Sequence, residues 1–115
     1  MSCGLGRQDV HAGSFDFGLQ GIEADVVFPG GIFHLHSALT GKFNLKNILG
    51  VVGIGVGLGI DATKIRKGLQ EVDNIPGRLE RIQVKTDCAV FVDYAHTPDA
   101  LENVLKTLRE MKPVR

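Results

Sequence analysis

The chain has no Trp, one Tyr, two Cys and four Pro in 115 residues, and no excess of either charge: 13 Lys+Arg stand against 13 Asp+Glu. Zero net charge argues against a nucleic-acid binder, which carries a basic surplus. Two Cys cannot form a disulfide framework, so a reducing, cytosolic setting is expected. The first residues, Met1 to Arg7, lack a charged stretch followed by an apolar one, so no signal peptide is read there. The longest uncharged apolar run, Ile48 to Ile60, has 13 residues, short of the roughly 20 that span a bilayer. Neither membrane nor nucleic acid is therefore an expected partner. Hydrophobic residues at 43% are too many for a disordered chain.

Glycine is in surplus, at 15 of 115 residues, about twice the usual share of about 7%. The run through Gly50, Gly53, Gly55, Gly57 and Gly59 fails the dinucleotide-loop pattern, because positions 58 and 60 are Leu and Ile and no βαβ strand precedes it. The only Gly-Lys, at 41–42, is followed by Phe, so no phosphate-cradling loop is present. Close helix packing is the better reading of the run.

Residues 1–43 read as β. A weak strand is expected at Asp16–Gly21, then a hairpin of Ile22–Phe28 and Ile32–His36 turned by Pro29-Gly30-Gly31. Asn44 is read as the cap of a helix whose apolar positions are Leu45, Ile48, Leu49, Val52 and Val56, with Gly59 just past its end. The Gly residues leave a buried strand pair open as the alternative. Asp61 is read as the cap of a second helix with Ile65, Leu69 and Val72 on one face. Asn74-Ile75-Pro76-Gly77 breaks it. Two strands are expected at Leu79–Val84 and Ala89–Val92 around Lys85-Thr86-Asp87. The second, an unbroken apolar run from Cys88, suits a strand buried on both faces of a parallel sheet. Thr97-Pro98-Asp99 starts a last helix, with Leu101, Val104, Leu105, Leu108 and Met111 as its apolar face and Pro113 as its stop. The whole reads as α/β, in two parts joined at Asn74–Gly77.

His34 and His36 share one strand face and can begin a metal site, but no neighbour at recognisable spacing completes one, so surface or packing roles are favoured. Cys3 and Cys88 are read as buried small residues. In Val92-Asp93-Tyr94-Ala95-His96-Thr97-Pro98 an apolar strand ends on a carboxylate and an imidazole as a helix begins, which is where ligands bind in open α/β sheets. Asp93 suits ribose hydroxyls, His96 a phosphate or a proton, and the helix start an anion. An Asp-Tyr turn with an incidental His is the plain alternative. Asn47 offers an amide that matches an adenine edge, or is simply a solvent-facing residue of the first turn. Arg78 either pairs with Glu80 or Asp73, or reaches a phosphate or ring across the junction.

Three collinear segments carry a resemblance: Gly41-Lys42-Phe43-Asn44-Leu45-Lys46-Asn47, Ile75-Pro76-Gly77-Arg78-Leu79-Glu80-Arg81, and Val92 to Glu102 with its Asp-Tyr-Ala-His-Thr-Pro core. Together they resemble the Mur ligases, with Thr before Pro most like the branch that extends a UDP-N-acetylmuramoyl dipeptide. The resemblance implies an ATP- and Mg²⁺-dependent ligase of peptidoglycan synthesis. Such an enzyme joins a diamino acid, meso-diaminopimelate or L-lysine, to UDP-N-acetylmuramoyl-L-alanyl-D-glutamate through an acyl phosphate. It implies that residues 1–75 close a P-loop-type ATPase central domain, a small antiparallel sheet plus a helix pair, and that 76–115 open a Rossmann-like C-terminal domain. By position, Asn47 would contact adenine, Arg78 would lie near the nucleotide at the junction, Asp93 would hold the ribose and His96 would lie near the phosphates. No catalytic residue and no metal ligand is assigned. The family's helix after Asn47 is Ala-rich where this one is Gly-rich. Its phosphate loop, Mg²⁺ ligands, modified lysine and UDP-sugar domain have no counterpart here, so the resemblance implies an internal piece of a longer enzyme, inactive alone. Folylpolyglutamate or cyanophycin synthetase remains an alternative within the superfamily, and a non-catalytic interaction module an alternative outside it.

Overall fold

The computed structural model describes residues 2–82, 84–85 and 87–111. Strands β1 (Cys3–Gly4), β2 (Val10–Gly18), β3 (Gly21–Phe28) and β4 (Gly31–Ser37) form one sheet in that order, with β1 parallel to β2 and the rest antiparallel. The expected hairpin is present, with Phe28 facing Gly31 across the turn. The segment Asp16–Gly21, expected as a weak strand, is instead the end of a nine-residue strand starting at Val10, the Leu19-Gln20 turn and the first residue of β3. A bulge between Ala12 and Ser14 shifts the register of β2 by one residue and breaks the period-two alternation that would have marked it.

One face of this sheet is apolar and packs on helix α1 (Lys42–Gly57). Val10, Ile22, Val26 and Leu35 from the sheet and Leu45, Ile48, Leu49 and Val52 from α1 are essentially removed from water. Full burial of each such side chain is worth about 1.5–3 kcal/mol, enough to offset the glycines and settle the segment as helix, not a strand pair. The run ends as expected at Gly59: the N–H of Gly59 donates to the Val56 carbonyl (3.0 Å) and that of Ile60 to the Gly55 carbonyl (2.9 Å). Close packing explains only part of the glycine run. A Cβ at Gly55 would stand 2.7 Å from Ile65 Cδ1 of helix α2 (Ala62–Glu71), whereas Gly50 and Gly57 face open space. Asp61 precedes α2 as expected but caps it through its backbone carbonyl, which accepts from the N–H of Lys64 and Ile65 (3.0 and 3.1 Å), with no side-chain cap bond.

Asn44 is not the cap of α1. The helix begins at Lys42, and the buried Asn44 amide donates backwards to the Thr40 carbonyl (2.7 Å), tying down the entry loop. No described helix is long and apolar enough to cross a membrane.

The second part is smaller. Strands β5 (Glu80–Ile82) and β6 (Val90–Val92) pair antiparallel, Glu80 opposite Val92 and Ile82 opposite Val90, and helix α3 spans Pro98–Glu110. The expectation of a strand buried on both faces fails here. Val90 and Val92 are each 40% exposed, because β6 has one strand neighbour among the described residues. Gln83, Thr86 and Pro113, which the expected strand, turn and helix stop included, lie outside the described residues. Thr97 caps α3 as expected, its Oγ1 accepting the Ala100 N–H (3.2 Å). Met111, just past the end of α3, is buried while Leu101 and Leu105 on the helix are exposed, and the hidden surface of α3 includes Thr107 instead.

Candidate functional site

A cleft of about 710 Å³ opens between the two parts. One wall is the start of α1: Gly41, Phe43, Asn44 and Asn47. The other is the β6–α3 connection, Asp93 to His96, with Ala100, Asn103, Val104 and Thr107 of α3, while Ile75, Arg78 and Leu79 line it from the junction. All four residues singled out from the sequence, Asn47, Arg78, Asp93 and His96, therefore face one space.

With α1 starting at Lys42, Asn47 falls in its second turn, exposed on the helix surface and on the cleft side. Arg78 is exposed, and neither Glu80 nor Asp73 forms a salt bridge with it among the described residues. Glu80 is engaged elsewhere, its carboxylate accepting the Gly77 N–H at 3.1 Å. The guanidinium is thus presented to the cleft without a carboxylate partner among the described residues.

Asp93 is half-buried and already organises the backbone. Oδ2 accepts the Leu79 N–H (2.9 Å) and Oδ1 the Ala95 N–H (2.8 Å). Leu79 is the only described non-glycine residue with positive φ, +50°. The Asp93 carboxylate therefore holds the turn that carries Arg78, and each of its oxygens keeps a further lone pair for a hydroxyl donor. The main chain adds a second tie, Tyr94 N–H to the Gly77 carbonyl at 2.9 Å. The ring Nδ1 of His96 donates to the Tyr94 carbonyl (3.0 Å), which leaves Nε2 as the acceptor of the neutral ring.

The start of α3 is a poorer anion site than the sequence suggests. Pro98 has no N–H, Thr97 Oγ1 takes the Ala100 N–H, and Asp99 adds a carboxylate in the first turn. Among the lining residues, positive charge comes instead from Arg78. Sequence reading missed Phe43, Tyr94 and Asn103 as lining residues, and no spacing signal marks Asn103 on its helix.

A second polar cluster lies on the outer face of the sheet. Strand register sets Ser14 opposite Asp25 and Asp25 opposite His34, and sets Glu23 opposite His36. Spacing along the chain had offered the histidines no partner; pairing across strands supplies two carboxylates. His34 Nδ1 meets Asp25 (2.9 Å), His34 Nε2 meets Glu23 (2.6 Å), His36 Nδ1 meets the same Glu23, and Ser14 Oγ donates to Asp25 (2.9 Å). As placed, no group of three or more His, Cys, Asp or Glu among the described residues could hold a metal ion. Cys3 and Cys88, expected inside, are both exposed.

Hydrogen bonds to Asp25 and then Glu23 raise the His34 pKa, while those same bonds lower both carboxylates, with His34 the first cause for each. The pairing is complete between about pH 4.5 and 6.5, above the ordinary carboxylate values and below the ordinary imidazole value. It weakens as pH rises through the raised His34 pKa and as pH falls through the lowered pKa values of Glu23 and Asp25. In an NMR titration, Glu23→Gln should lower the His34 midpoint towards 6.5. An unmoved midpoint would refute the pairing.

Comparison with known proteins follows the same outline. Residues 77–115 match the family model described as Mur ligase, glutamate ligase domain. A UDP-N-acetylmuramoyl-L-alanyl-D-glutamate–2,6-diaminopimelate ligase from Geobacter metallireducens is 48% identical over 102 residues, which cover 89% of this chain and 20% of the relative. The chloroplastic homologue from Arabidopsis thaliana is 39% identical over 109 residues, covering 95% of this chain and 14% of that protein. Among solved structures, MurF from Acinetobacter baumannii superposes with a TM-score of 0.83 at 27% identity, over 96% of this chain and 24% of that one. The chain thus spans about a fifth of the length of the Geobacter relative.

Proposed function

This chain belongs to the Mur ligase family, and from that premise we propose that it is part of an ATP-dependent ligase adding a diamino acid to UDP-N-acetylmuramoyl-L-alanyl-D-glutamate, with its cleft as the adenosine end of the nucleotide site. One observation carries the site reading: Asn47, Arg78, Asp93 and His96, from three separate segments, line one cleft. Their chemistry fits a nucleotide. The Asn47 amide gives and accepts one hydrogen bond each, as an adenine edge requires, and the spare lone pairs of Asp93 suit ribose hydroxyls. Arg78, with His96 beside it, suits a phosphate. ATP supplies the phosphoryl group that activates the carboxylate; these side chains bind and orient it. Mg²⁺ ligands are assigned to other parts of the enzyme. The names of the relatives favour 2,6-diaminopimelate over L-lysine as the added amino acid. The break at Asn74–Gly77 and a family match beginning at Gly77 support a division into the end of a central ATPase domain, 1–75, and the start of a C-terminal domain, 76–115. Cytoplasmic work on a UDP-linked precursor follows from the same reading.

Titration of the isotope-labelled chain with ADP tests the site. Saturable shifts are expected at the Asn47 side chain, Arg78 and Asp93–His96. Asn47→Ala should weaken binding about three- to tenfold, the worth of a neutral hydrogen bond. ATP hydrolysis by this chain alone is expected to be nil, since it has no phosphate-cradling loop. Shifts spread over the outer sheet face, or no saturation at millimolar ADP, would overturn the site.

A further inference from the structure

We propose that Arg81 is a positioning residue that holds the two walls of the cleft at a fixed separation by gripping the β2–β3 turn. Its guanidinium Nη1 donates to the Leu19 carbonyl, 62 residues away in sequence. Arg81 stands on β5 in the second part; Leu19 lies in the turn between β2 and β3 of the first. That turn is a firm anchor. Thr40 Oγ1 donates to the neighbouring Gly18 carbonyl at 2.5 Å, so two successive carbonyls of the turn are engaged. Among the described residues, only two side-chain hydrogen bonds join residues 1–75 to residues 77–111: this one and a weak contact of Thr40 Oγ1 with Met111 Sδ at 3.9 Å. The remaining seam is van der Waals contact around Gly41, where a Cβ would stand 2.8 Å from Thr107 Cγ2 and 3.2 Å from Leu79 Cδ2. Apolar contact of this kind is non-directional and lets the parts rock. A planar guanidinium on a fixed carbonyl is directional and resists rocking. Arg81 itself lines no part of the cleft, so its influence on a ligand passes through the geometry of Asn47 relative to Arg78 and Asp93.

Spin labels at Lys64 on α2 and Glu110 on α3, in a chain with Cys3 and Cys88 replaced by Ser, read the separation directly by pulsed electron resonance. A narrow distance distribution is expected for the otherwise native chain, a broader one for Arg81→Ala, and partial narrowing for Arg81→Lys, which retains a charged donor. Thermal melting accompanies each variant. An unchanged distribution in Arg81→Ala overturns the proposal, as does broadening that Lys fails to reduce, or a lower Tm with unchanged distances. The effect on ligand rests on the nucleotide reading: ADP affinity should fall about two- to fivefold in Arg81→Ala, the factor by which the competent fraction shrinks. The two readings fail separately. Narrow and broad distributions as expected with no ADP binding to any form refute the nucleotide site and leave Arg81 as the brace.

Discussion

Alanine at position 21 should prevent the four-stranded sheet from folding. Gly21 has φ +126°, and a Cβ there would stand 2.1 Å from the Ser37 carbonyl oxygen, 3.2 Å from its carbon and 3.4 Å from Ala38 Cα. All three are backbone atoms at the end of β4, and no rotamer change moves them aside. Backbone strain of this kind costs about 1–3 kcal/mol by itself. Relieving the overlap means separating β3 from β4 where Ile22 pairs with Ser37, both fully buried. Together these are expected to exceed about 4 kcal/mol, most of the net stability of a small domain. Gly18 is the control, three residues earlier and ending the partner strand, where a Cβ meets nothing within 4 Å. Urea unfolding followed by circular dichroism should find Gly18→Ala within about 1 kcal/mol of the native chain. Gly21→Ala should be unfolded without denaturant. A Gly21→Ala midpoint close to that of Gly18→Ala would refute the account.

Gly77→Ala should have the next largest effect, felt at the cleft. Gly77 has φ +72°, and an added Cβ would lie 2.3–2.6 Å from the Tyr94 ring. The Tyr94 N–H to Gly77 carbonyl bond keeps the two backbones together, so only the ring can yield. That ring is 68% exposed and has somewhere to go. The left-handed backbone adds about 1–2 kcal/mol, and moving Tyr94 brings the total to about 2–4 kcal/mol. The two costs separate in a double-mutant cycle. Tyr94→Ala should recover the clash but not the backbone strain, giving a coupling energy between about 0.5 and 3 kcal/mol. Zero coupling would mean that the ring does not occupy the place described.

Local chemistry made the punctuation of this fold readable in advance. Pro29-Gly30-Gly31 turns a hairpin and Thr97-Pro98-Asp99 opens a helix, each because a backbone constraint resides in the residues themselves, whereas α2 ends at Glu71, ahead of the expected break at Asn74–Gly77, and leaves Val72 outside it. What depended on a partner was not readable. The bulge after Ala12 disguised β2. Asn44 has the right chemistry for a cap, yet the helix begins two residues earlier and its amide serves Thr40. The carboxylates beside His34 and His36 come from 9 to 13 residues away, through strand register alone. For the cleft, the motif residues were nameable because strand ends and helix starts collect ligands. The dual duty of Asp93 was not, because its bond to Leu79 spans 14 residues and exists only once the turn has formed.

The opening turns of α1 carry a last consequence. Lys42 and Lys46 stand at the positive end of the helix macrodipole, with no acidic residue in the first turn to balance them. Each is adverse to the helix by about 0.3–1 kcal/mol at low salt. Arg78 faces the same opening. The zero net charge of the chain thus conceals a local positive excess at the start of α1, where Lys42 and Lys46 have no acidic residue beside them in the first turn. An approaching anion meets a local field that the overall charge conceals. Ionic strength would then act on capture and on the helix in opposite senses, weakening the first while relaxing the self-repulsion of the second.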